Sequence, residues 1–204
     1  MIKNVIFDVG GVILDYHRET YLSPFGFDSE TEKFVFKNVL FTPNWSRLLK
    51  GEISTQEFID DAIHQHPDFE SVVKSFFDME TLKKMLPVLN KTVDFVKELK
   101  NEGYKLFIIS DIEIKTIDYL LSEIPEISTL FDDMIFSSQV HMVKKDGLIF
   151  DYALKRFNID AKETLFVDDA DRNLEQAQKY GINTFKFTAP EIDISQIKTI
   201  LKQA

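Results

Sequence analysis

Acidic side chains, a hydroxyl and a lysine follow four short apolar runs of the sequence. Asp8 ends "VIFD", Ser110 ends "LFIIS", and Asp168 and Asp169 end "TLFVDD". Lys144 comes in the loop after the remaining run, within "IFSSQVHMVKKDGLIF". An aspartate can attack phosphorus, a second carboxylate can help to hold Mg²⁺, and a lysine can neutralise the charge that collects there. These residue types predict phosphoryl transfer if the fold brings them together.

The apolar runs predict buried strands at residues 5–7, 106–109, 134–136, 165–167 and 184–187. Helical patterns lie between most of them, for example the stripes that begin at Leu89, Ile149 and Leu174. This alternation predicts an α/β protein with a Rossmann-like parallel sheet that is covered by helices on both faces. Because sites in such folds lie at the carboxyl ends of the strands, we expect the polar residues above to converge on one crevice.

The segment from residue 15 to residue 87 interrupts the alternation. It carries helical patterns only, at residues 30–40 and 44–50 and in a helix that opens with "STQEF". Ser54 and Glu57 have the spacing of a capping box at the start of that helix. We therefore predict an α/β core domain of residues 1–14 and 88–204, with an inserted small α-helical cap domain of residues 15–87. Such an insertion would cover the end of the first strand.

Composition excludes several classes of function. The net charge of −10 opposes binding to nucleic acid or to anionic membranes, which requires clustered basic residues. The chain contains no cysteine, which excludes disulfides and thiolate metal sites, and its four histidines lack the spacing of a zinc site. No apolar run approaches the ~20 residues of a membrane span, and the start "MIKNVIFDVG" predicts a strand rather than a secretion signal. We predict a cytoplasmic protein and leave the oligomeric state open.

Four motifs in this order resemble those of the haloacid dehalogenase-like hydrolases, in the branch with a small helical cap. They are "VIFDVGGVI", "LFIISD", "VKKDGLIF" and "TLFVDDADRNLEQAQKYGI", and together they extend over essentially the whole chain. The resemblance implies a phosphatase in which Asp8 is the nucleophile. It also implies that Ser110 is the phosphate-binding hydroxyl and that Lys144 is the charge-balancing lysine.

The resemblance further implies a Mg²⁺ cofactor. Its ligands would be Asp8, the backbone carbonyl of Gly10, Asp169, and Asp168 either directly or through water. Asn173 matches a polar position of the fourth motif, although a residue in the first turn of a helix is an equally good interpretation. The expected substrate is a small phosphorylated metabolite such as a sugar phosphate. The candidate residues for contacts with it are Arg18, Gly11 and Asp111, with Tyr16, His17, Trp45 and Arg47 of the cap as further polar and aromatic candidates.

Gly10 departs from the pattern of the family, because its phosphatases usually carry a second aspartate there that acts as general acid and then as general base. Three hypotheses remain. The protein is a Mg²⁺-dependent phosphatase that favours good leaving groups, with Asp15 or His17 as candidate substitutes for the missing acid. Alternatively, it is a 2-haloacid dehalogenase, whose halide leaves without a proton but whose reaction does not require paired carboxylates. In the third hypothesis it is a catalytically weak or silent relative that binds phosphate or a protein.

Overall fold

Five strands form one parallel sheet in the computed structural model, which describes residues 1–17, 20–188 and 190–203. Their order across the sheet is β3-β2-β1-β4-β5. The strands are β1 (Asn4–Phe7), β2 (Lys105–Ser110), β3 (Asp133–Phe136), β4 (Thr164–Asp168) and β5 (Asn183–Lys186). All five predicted runs are strands, with ends shifted by one residue in most cases, and the predicted α/β fold class is confirmed.

The sheet is buried on both faces, as a parallel sheet requires. In β1 every residue is buried, and the side chains alternate between two apolar clusters. Val5 and Phe7 pack in a cluster with Val93 and Val96, whereas Ile6 packs in the other with Phe150. The second cluster contains side chains from residues 149–157 and 174–177, and the first contains side chains from residues 93–99 and 197–201. Apolar contact on both sides therefore fixes the central strand.

Helices connect the strands and form the segment between β1 and α6. The predicted stripes from Leu89, Ile149 and Leu174 lie in helices, with Val93, Ile149 and Leu174 buried. The helices are α1 (Ser29–Phe34), α2 (Pro43–Leu49), α3 (Thr55–Gln65), α4 (Glu70–Ser75), α5 (Met79–Met85), α6 (Asn90–Asn101), α7 (Ile114–Glu123), α8 (Ile127–Leu130), α9 (Ser137–Val140), α10 (Leu148–Phe157), α11 (Asp171–Lys179) and α12 (Pro190–Gln203). No helix in the described part of the chain has the length and apolar character of a membrane span.

Between β1 and α6 the described chain contains helices and turns, as predicted from the helical patterns. The predicted helix at residues 30–40 is α1 followed by a π-helix at Val35–Leu40. The capping box of Ser54 and Glu57 at the start of α3 is confirmed, with both reciprocal hydrogen bonds present. These helices pack around aromatic rings, which are Phe41, Trp45, Phe58, Phe76 and Phe77.

The chain leaves and re-enters the sheet region at neighbouring points. The amide of Asp15 donates to the carbonyl of Pro87 at 2.8 Å, and the amide of Leu89 donates to the carbonyl of Ile13 at 2.9 Å. These bonds hold the segment that follows β1 beside the segment that precedes α6. The division into a core of residues 1–14 and 88–204 and a cap of residues 15–87 stays a prediction, which this pairing supports.

Candidate active site

Three carboxylates meet at the carboxyl ends of β1 and β4. Phe7 pairs with Val167 in the sheet, and the amide of Asp8 donates to the carbonyl of Val167 at 2.9 Å. This register places Asp8 beside the end of β4. One carboxylate oxygen from each of Asp8, Asp168 and Asp169 lies within 4.8 Å of the others. Residues that are about 160 positions apart in the sequence therefore form one acidic cluster.

Lys144 joins two of these carboxylates. Its Nζ lies 2.7 Å from Oδ2 of Asp8 and 2.6 Å from Oδ2 of Asp168, and the side chain is 2% exposed. Burial alone would lower the pKa of this lysine, but attraction to Asp168 and Asp8 outweighs burial and raises its pKa. The lysine therefore carries its positive charge inside the protein, where that charge stabilises both carboxylates.

Asp111 fixes the backbone that carries the lysine. Its Oδ1 accepts a hydrogen bond from the amide of Lys144 at 2.9 Å, and burial raises the pKa of its carboxyl. Asp111 was predicted as a substrate contact, and it does line the cavity described below. The structure also gives Asp111 a structural role that was not predicted, because this hydrogen bond connects the loop after β2 to the loop that carries Lys144.

Ionisation of all three carboxyl groups would give the cluster more negative than positive charge. Burial raises the pKa of Asp8 to about 8, Lys144 opposes this rise, and the neighbouring Asp168 and Asp169 add to it. Burial and Asp168 also raise the pKa of Asp169. Three carboxylates thus face one ammonium group. A bound cation would relieve this repulsion, which is the electrostatic condition for a metal site.

The two aspartates of the fourth motif differ in their surroundings. Oδ1 of Asp168 accepts from the amide of Ala170 at 2.8 Å and from Nδ2 of Asn173 at 3.0 Å, while Oδ2 accepts from Lys144. Protein donors therefore occupy both oxygens of Asp168. Asp169 is half-buried and lines the cavity. Asn173 holds Asp168 in place, and its own Oδ1 has no hydrogen-bond partner among the described residues.

The glycines after β1 leave room for these groups. Gly11 has φ +73°, and a Cβ atom there would lie 2.8 Å from Cγ of Asp169. Only glycine allows Asp169 to approach this loop so closely. Gly10 is different, because a Cβ atom there would meet only Cβ of Tyr16, at 3.9 Å. Space does not exclude an aspartate at position 10.

A cavity of about 430 Å³ opens above the acidic cluster. Ser110 and Lys144 line its polar end, together with Asp8. Residues that precede α6 line its other side, and they are mainly aromatic: Tyr16, Tyr21, Phe41 and Trp45. The cavity can therefore hold a phosphoryl group against the polar end and an organic group against the aromatic rings.

Several predicted residues lie elsewhere. Arg18 lies outside the described residues. Nε2 of His17 is 2.8 Å from Oδ1 of Asp15, so these two candidate acids pair with each other, and neither lines the cavity. Arg47 donates to Oδ1 of Asn44 at 3.0 Å on the exposed side of α2. Of the later cap candidates, only Trp45 reaches the cavity.

Several residues that line the cavity were not among the predicted site residues, including Glu113, Tyr21, Thr116 and Arg172. Glu113 is 1% exposed and caps α7, accepting hydrogen bonds from the amides of Lys115 and Thr116 at 2.6 Å each. Tyr21 is buried among aromatic rings, and burial, the neighbouring Tyr16 and Glu113 all raise the pKa of its phenol. Neither Glu113 nor Tyr21 lies in one of the four sequence motifs. Tyr21 reaches the site because residues between β1 and α6 line the cavity together with the strand ends, whereas Glu113 lies in the loop after β2, three residues beyond Ser110.

Several known proteins have sequences similar to this chain. A family model described as haloacid dehalogenase-like hydrolase matches residues 2–181. D-ribitol-5-phosphate phosphatase of Bacteroides thetaiotaomicron is 26% identical, covering 91% of this chain and 92% of that protein. (S)-2-haloacid dehalogenase of Pseudomonas sp. is 23% identical, covering 90% of this chain and 81% of that protein. The chain spans 15% of the length of a mouse relative, Acyl-CoA dehydrogenase family member 10, at 25% identity.

A solved structure shares the fold. It is that of a haloacid dehalogenase family enzyme from Bacteroides thetaiotaomicron in complex with magnesium and inorganic phosphate. The TM-score is 0.73 at 24% identity, with 91% of this chain and 94% of that chain covered. Because the family model matches most of the chain, the protein belongs to the haloacid dehalogenase-like hydrolases, and the predicted family is confirmed. It is a hydrolase with phosphatases and dehalogenases among its relatives.

Proposed function

We propose that this protein is a Mg²⁺-dependent phosphatase that hydrolyses a small phosphorylated metabolite, such as a sugar phosphate. The observation that carries the proposal is the buried contact of Asp8 with Lys144 inside a cluster of three carboxylates at the base of a cavity. The relative named as a ribitol-phosphate phosphatase, which matches over nearly its whole length, supports the substrate class.

The side chains of the site supply a two-step reaction. An oxygen of Asp8 attacks phosphorus, the bond from phosphorus to the leaving oxygen breaks, and the phosphoryl group is held on Asp8 as an acyl phosphate. Water then attacks phosphorus, the bond to the Asp8 oxygen breaks, and inorganic phosphate is released. Lys144, 2.7 Å from Asp8, balances the negative charge in both steps. Ser110 lines the same end of the cavity and would donate its hydroxyl hydrogen to a phosphoryl oxygen.

The residues present fit a Mg²⁺ ion. Their oxygens are the hard ligands that Mg²⁺ prefers, and their surplus negative charge requires a cation. Asp8, Asp169 and the carbonyl of Gly10 would hold the ion directly. Asp168 would reach it through water, because its side chain is completely buried behind Lys144 and, unlike Asp8 and Asp169, does not line the cavity. When bound, the ion polarises the phosphoryl group and offsets its charge.

Gly10 restricts the leaving group. A general acid contributes about 10²–10⁴ to the rate, and no carboxylate stands at position 10 to supply it. The loss matters least when the leaving oxygen departs without a proton. We therefore expect a preference for aryl, acyl or anomeric sugar phosphates over simple alkyl phosphates, unless Asp15 or His17 moves to the cavity when substrate binds.

The test is a panel of sugar phosphates, sugar-alcohol phosphates and p-nitrophenyl phosphate, assayed with MgCl₂ and with EDTA. The wild type should release phosphate only with the metal, and Asp8→Asn should abolish turnover. Asp94→Asn, on the exposed surface of α6, is the matched control and should behave as the wild type does. Turnover by Asp8→Asn at the wild-type rate would overturn the proposal.

A 2-haloacid dehalogenase is the second candidate, favoured by Gly10 and by the relative named as such. In that reaction Asp8 would attack the carbon that bears the halogen, and halide would leave without a proton. The acidic cluster would then have no function. Chloride release from 2-chloropropionate that persists in EDTA would replace the phosphatase proposal. If neither class is turned over while inorganic phosphate still binds, the protein is a silent relative.

A further inference from the structure

One buried hydroxyl joins the two sides of the cavity. Ser137 directly follows β3, and its side chain is completely buried. Its Oγ donates to the carbonyl of Leu49 at 2.6 Å and accepts from the amide of Ile112 at 3.0 Å. Leu49 belongs to the cap side of the cavity, and Ile112 belongs to the loop after β2 that also carries Asp111. Ser137 does not line the cavity itself, yet it connects two residues that do.

Further contacts surround this hydroxyl. We call residues 49–51 the docking turn, which ends α2 and packs against residues 137–141. Nδ1 of His141 lies 2.7 Å from the carbonyl of Lys50, and Nζ of Lys50 lies 3.0 Å from Oδ2 of Asp146. The loop that receives the docking turn continues directly into Lys144. The contact therefore links the cap to the segment that carries the charge-balancing lysine.

Gly51 makes the closest approach in this contact. It has φ +63°, and a Cβ atom there would lie 2.1 Å from the carbonyl oxygen of Ser138. Because the obstacle is backbone, any side chain at position 51 would push the docking turn away from the core. The neighbouring Ser138 is also buried, but its hydroxyl has no hydrogen-bond partner among the described residues.

We propose that Ser137 is a positioning residue that docks residues 49–51 on the core and thereby sets the distance between the two walls of the cavity. Its hydroxyl bonds at once to a half-buried acceptor, the carbonyl of Leu49, and to a buried donor, the amide of Ile112. Removal of the hydroxyl leaves both groups unpaired, which favours separation of the two walls so that water can reach them. The effect on catalysis rests on the proposed phosphatase function, whereas the docking contact can be measured without turnover.

The first test compares Ser137→Ala with Ser138→Ala. Both changes remove one buried hydroxyl from adjacent positions, so loss of packing affects them alike. Ser137→Ala should raise KM for p-nitrophenyl phosphate about tenfold, as expected for the loss of a buried hydrogen-bond pair, with a smaller change in kcat. Ser138→Ala should leave KM within about twofold of the wild type. Equal KM values for the two variants would overturn the proposal.

The second test acts from the other side of the contact, without a change in the core. Gly51→Ala should separate the docking turn from Ser138 and raise KM in the same way. Gly26→Ala is its matched control, because Gly26 has φ +66° and nothing lies within 4 Å of a Cβ atom there. Both variants carry the same backbone strain, and only the first loses the contact. An unchanged KM in Gly51→Ala would contradict the assignment.

Hydrogen–deuterium exchange separates this proposal from the proposed function. In the wild type, the amide of Gly51 donates to the carbonyl of Leu48 and the amide of Glu52 donates to the carbonyl of Arg47, both in α2. Peptides that cover residues 46–54 should exchange faster in Ser137→Ala and Gly51→Ala than in Ser138→Ala and Gly26→Ala. This result is expected even if no phosphate ester is hydrolysed. Identical exchange in all four variants would overturn the docking role whatever the substrate.

Discussion

At the scale of single residues, Gly10 and Gly11 are adjacent but differ in the space around them. Gly11 is required, because its positive φ and the closeness of Asp169 leave no room for a side chain. Gly10 has ordinary backbone conformation and open space above it. The position two residues after Asp8 can therefore be changed without loss of the acidic cluster, and this makes the missing general acid open to experiment.

Gly10→Asp should raise kcat for alkyl phosphates by roughly tenfold or more, because a general acid is worth about 10²–10⁴ in rate. The gain for p-nitrophenyl phosphate should be much smaller, since its leaving group needs little protonation. Steady-state kinetics on both substrate classes measures the ratio. Gly10→Ala is the control and should give no gain. A similar gain on both classes would show that the new carboxylate acts in another way.

The buried carboxyl group of Asp8 also predicts a dependence of stability on pH. The pKa of Asp8 rises from 3.8 to about 8 on folding, mainly through burial. Between these values the folded chain binds more protons than the unfolded chain, so a rise in pH lowers the free energy of unfolding. The contribution is present in full below pH 3.8 and is lost as the pH passes about 8.

Asp8→Asn should remove this contribution. In EDTA, the midpoint of thermal unfolding of the wild type relative to that of Asp8→Asn should fall as the pH is raised from 4 to 8. Other carboxyl groups, such as Asp133, whose pKa is lowered by its hydrogen bonds to Arg156, are present in both proteins and cancel in the difference. Parallel curves for the two proteins would mean that Asp8 does not titrate in this range.

At the scale of secondary-structure elements, α3 depends on a local signal and on tertiary packing. Ser54 caps its first turn, and Phe58 and Ala62 bury one face against the rest of the cap. Because the capping residues are exposed, their contribution can be removed without a cavity in the core. The helix thus provides a measure of how strongly the cap is held together.

Ser54→Ala should lower the free energy of unfolding by about 1 kcal/mol, the usual cost of a lost N-cap. Denaturant unfolding followed by circular dichroism measures the change. Ser29→Ala is the control, because it alters the first residue of α1 but leaves the N-cap Asp28 and its bonds intact. A loss in the control as large as in Ser54→Ala would show that the effect does not come from capping.

The elements that could be predicted from the sequence are those with a local pattern. The central strands are short apolar runs, and helices such as α10 show a repeated stripe, so both follow from residue order. β5 was placed one residue too late, because Phe187 is buried beyond the last strand residue, with its amide bonded to the carbonyl of Asp168. Helices α7 and α12 were not predicted.

The site residues that residue order alone brings together are those that end strands. Asp8, Ser110 and Asp168 follow apolar runs, so a parallel sheet must bring them together. Ser137 and Ser138 are the opposite case, since they are identical neighbours in the sequence. Only the structure distinguishes the hydroxyl that joins two loops from the one without a partner. That difference depends on where a distant turn packs, which no local pattern encodes.

At the scale of the whole molecule, the cavity is lined by the strand ends on one side and by residues between β1 and α6 on the other. Binding of phosphate at the strand ends should therefore change the environment of the residues on the opposite side. Trp45 is the only tryptophan of the chain, and it lines the cavity on the cap side. Its ring lies 4.7 Å from Phe41 between centroids. A change in the position of the cap therefore changes the surroundings of the only strong fluorophore.

Titration of the wild type with inorganic phosphate in the presence of Mg²⁺ should give a saturable change in tryptophan emission. The change reports both occupation of the cavity and movement of the cap. Sodium chloride at equal ionic strength is the control and should give no saturable change. Emission that stays constant while calorimetry detects phosphate binding would show that the two sides of the cavity are not coupled.

Two main-chain oxygens of the docking turn, those of Leu49 and Lys50, lie within hydrogen-bond distance of Ser137 and His141 of the core. Every residue type supplies such an oxygen, so the attachment does not depend on which side chain stands at position 49, while that side chain borders the cavity. At position 49 the main chain thus attaches the turn to the core, whereas the side chain is free to determine which substrates fit the cavity. Libraries randomised at position 49 should therefore yield proteins with altered substrate ranges in which the docking turn stays attached to the core. Position 49 is thus a permissive site at which evolution or engineering can change specificity.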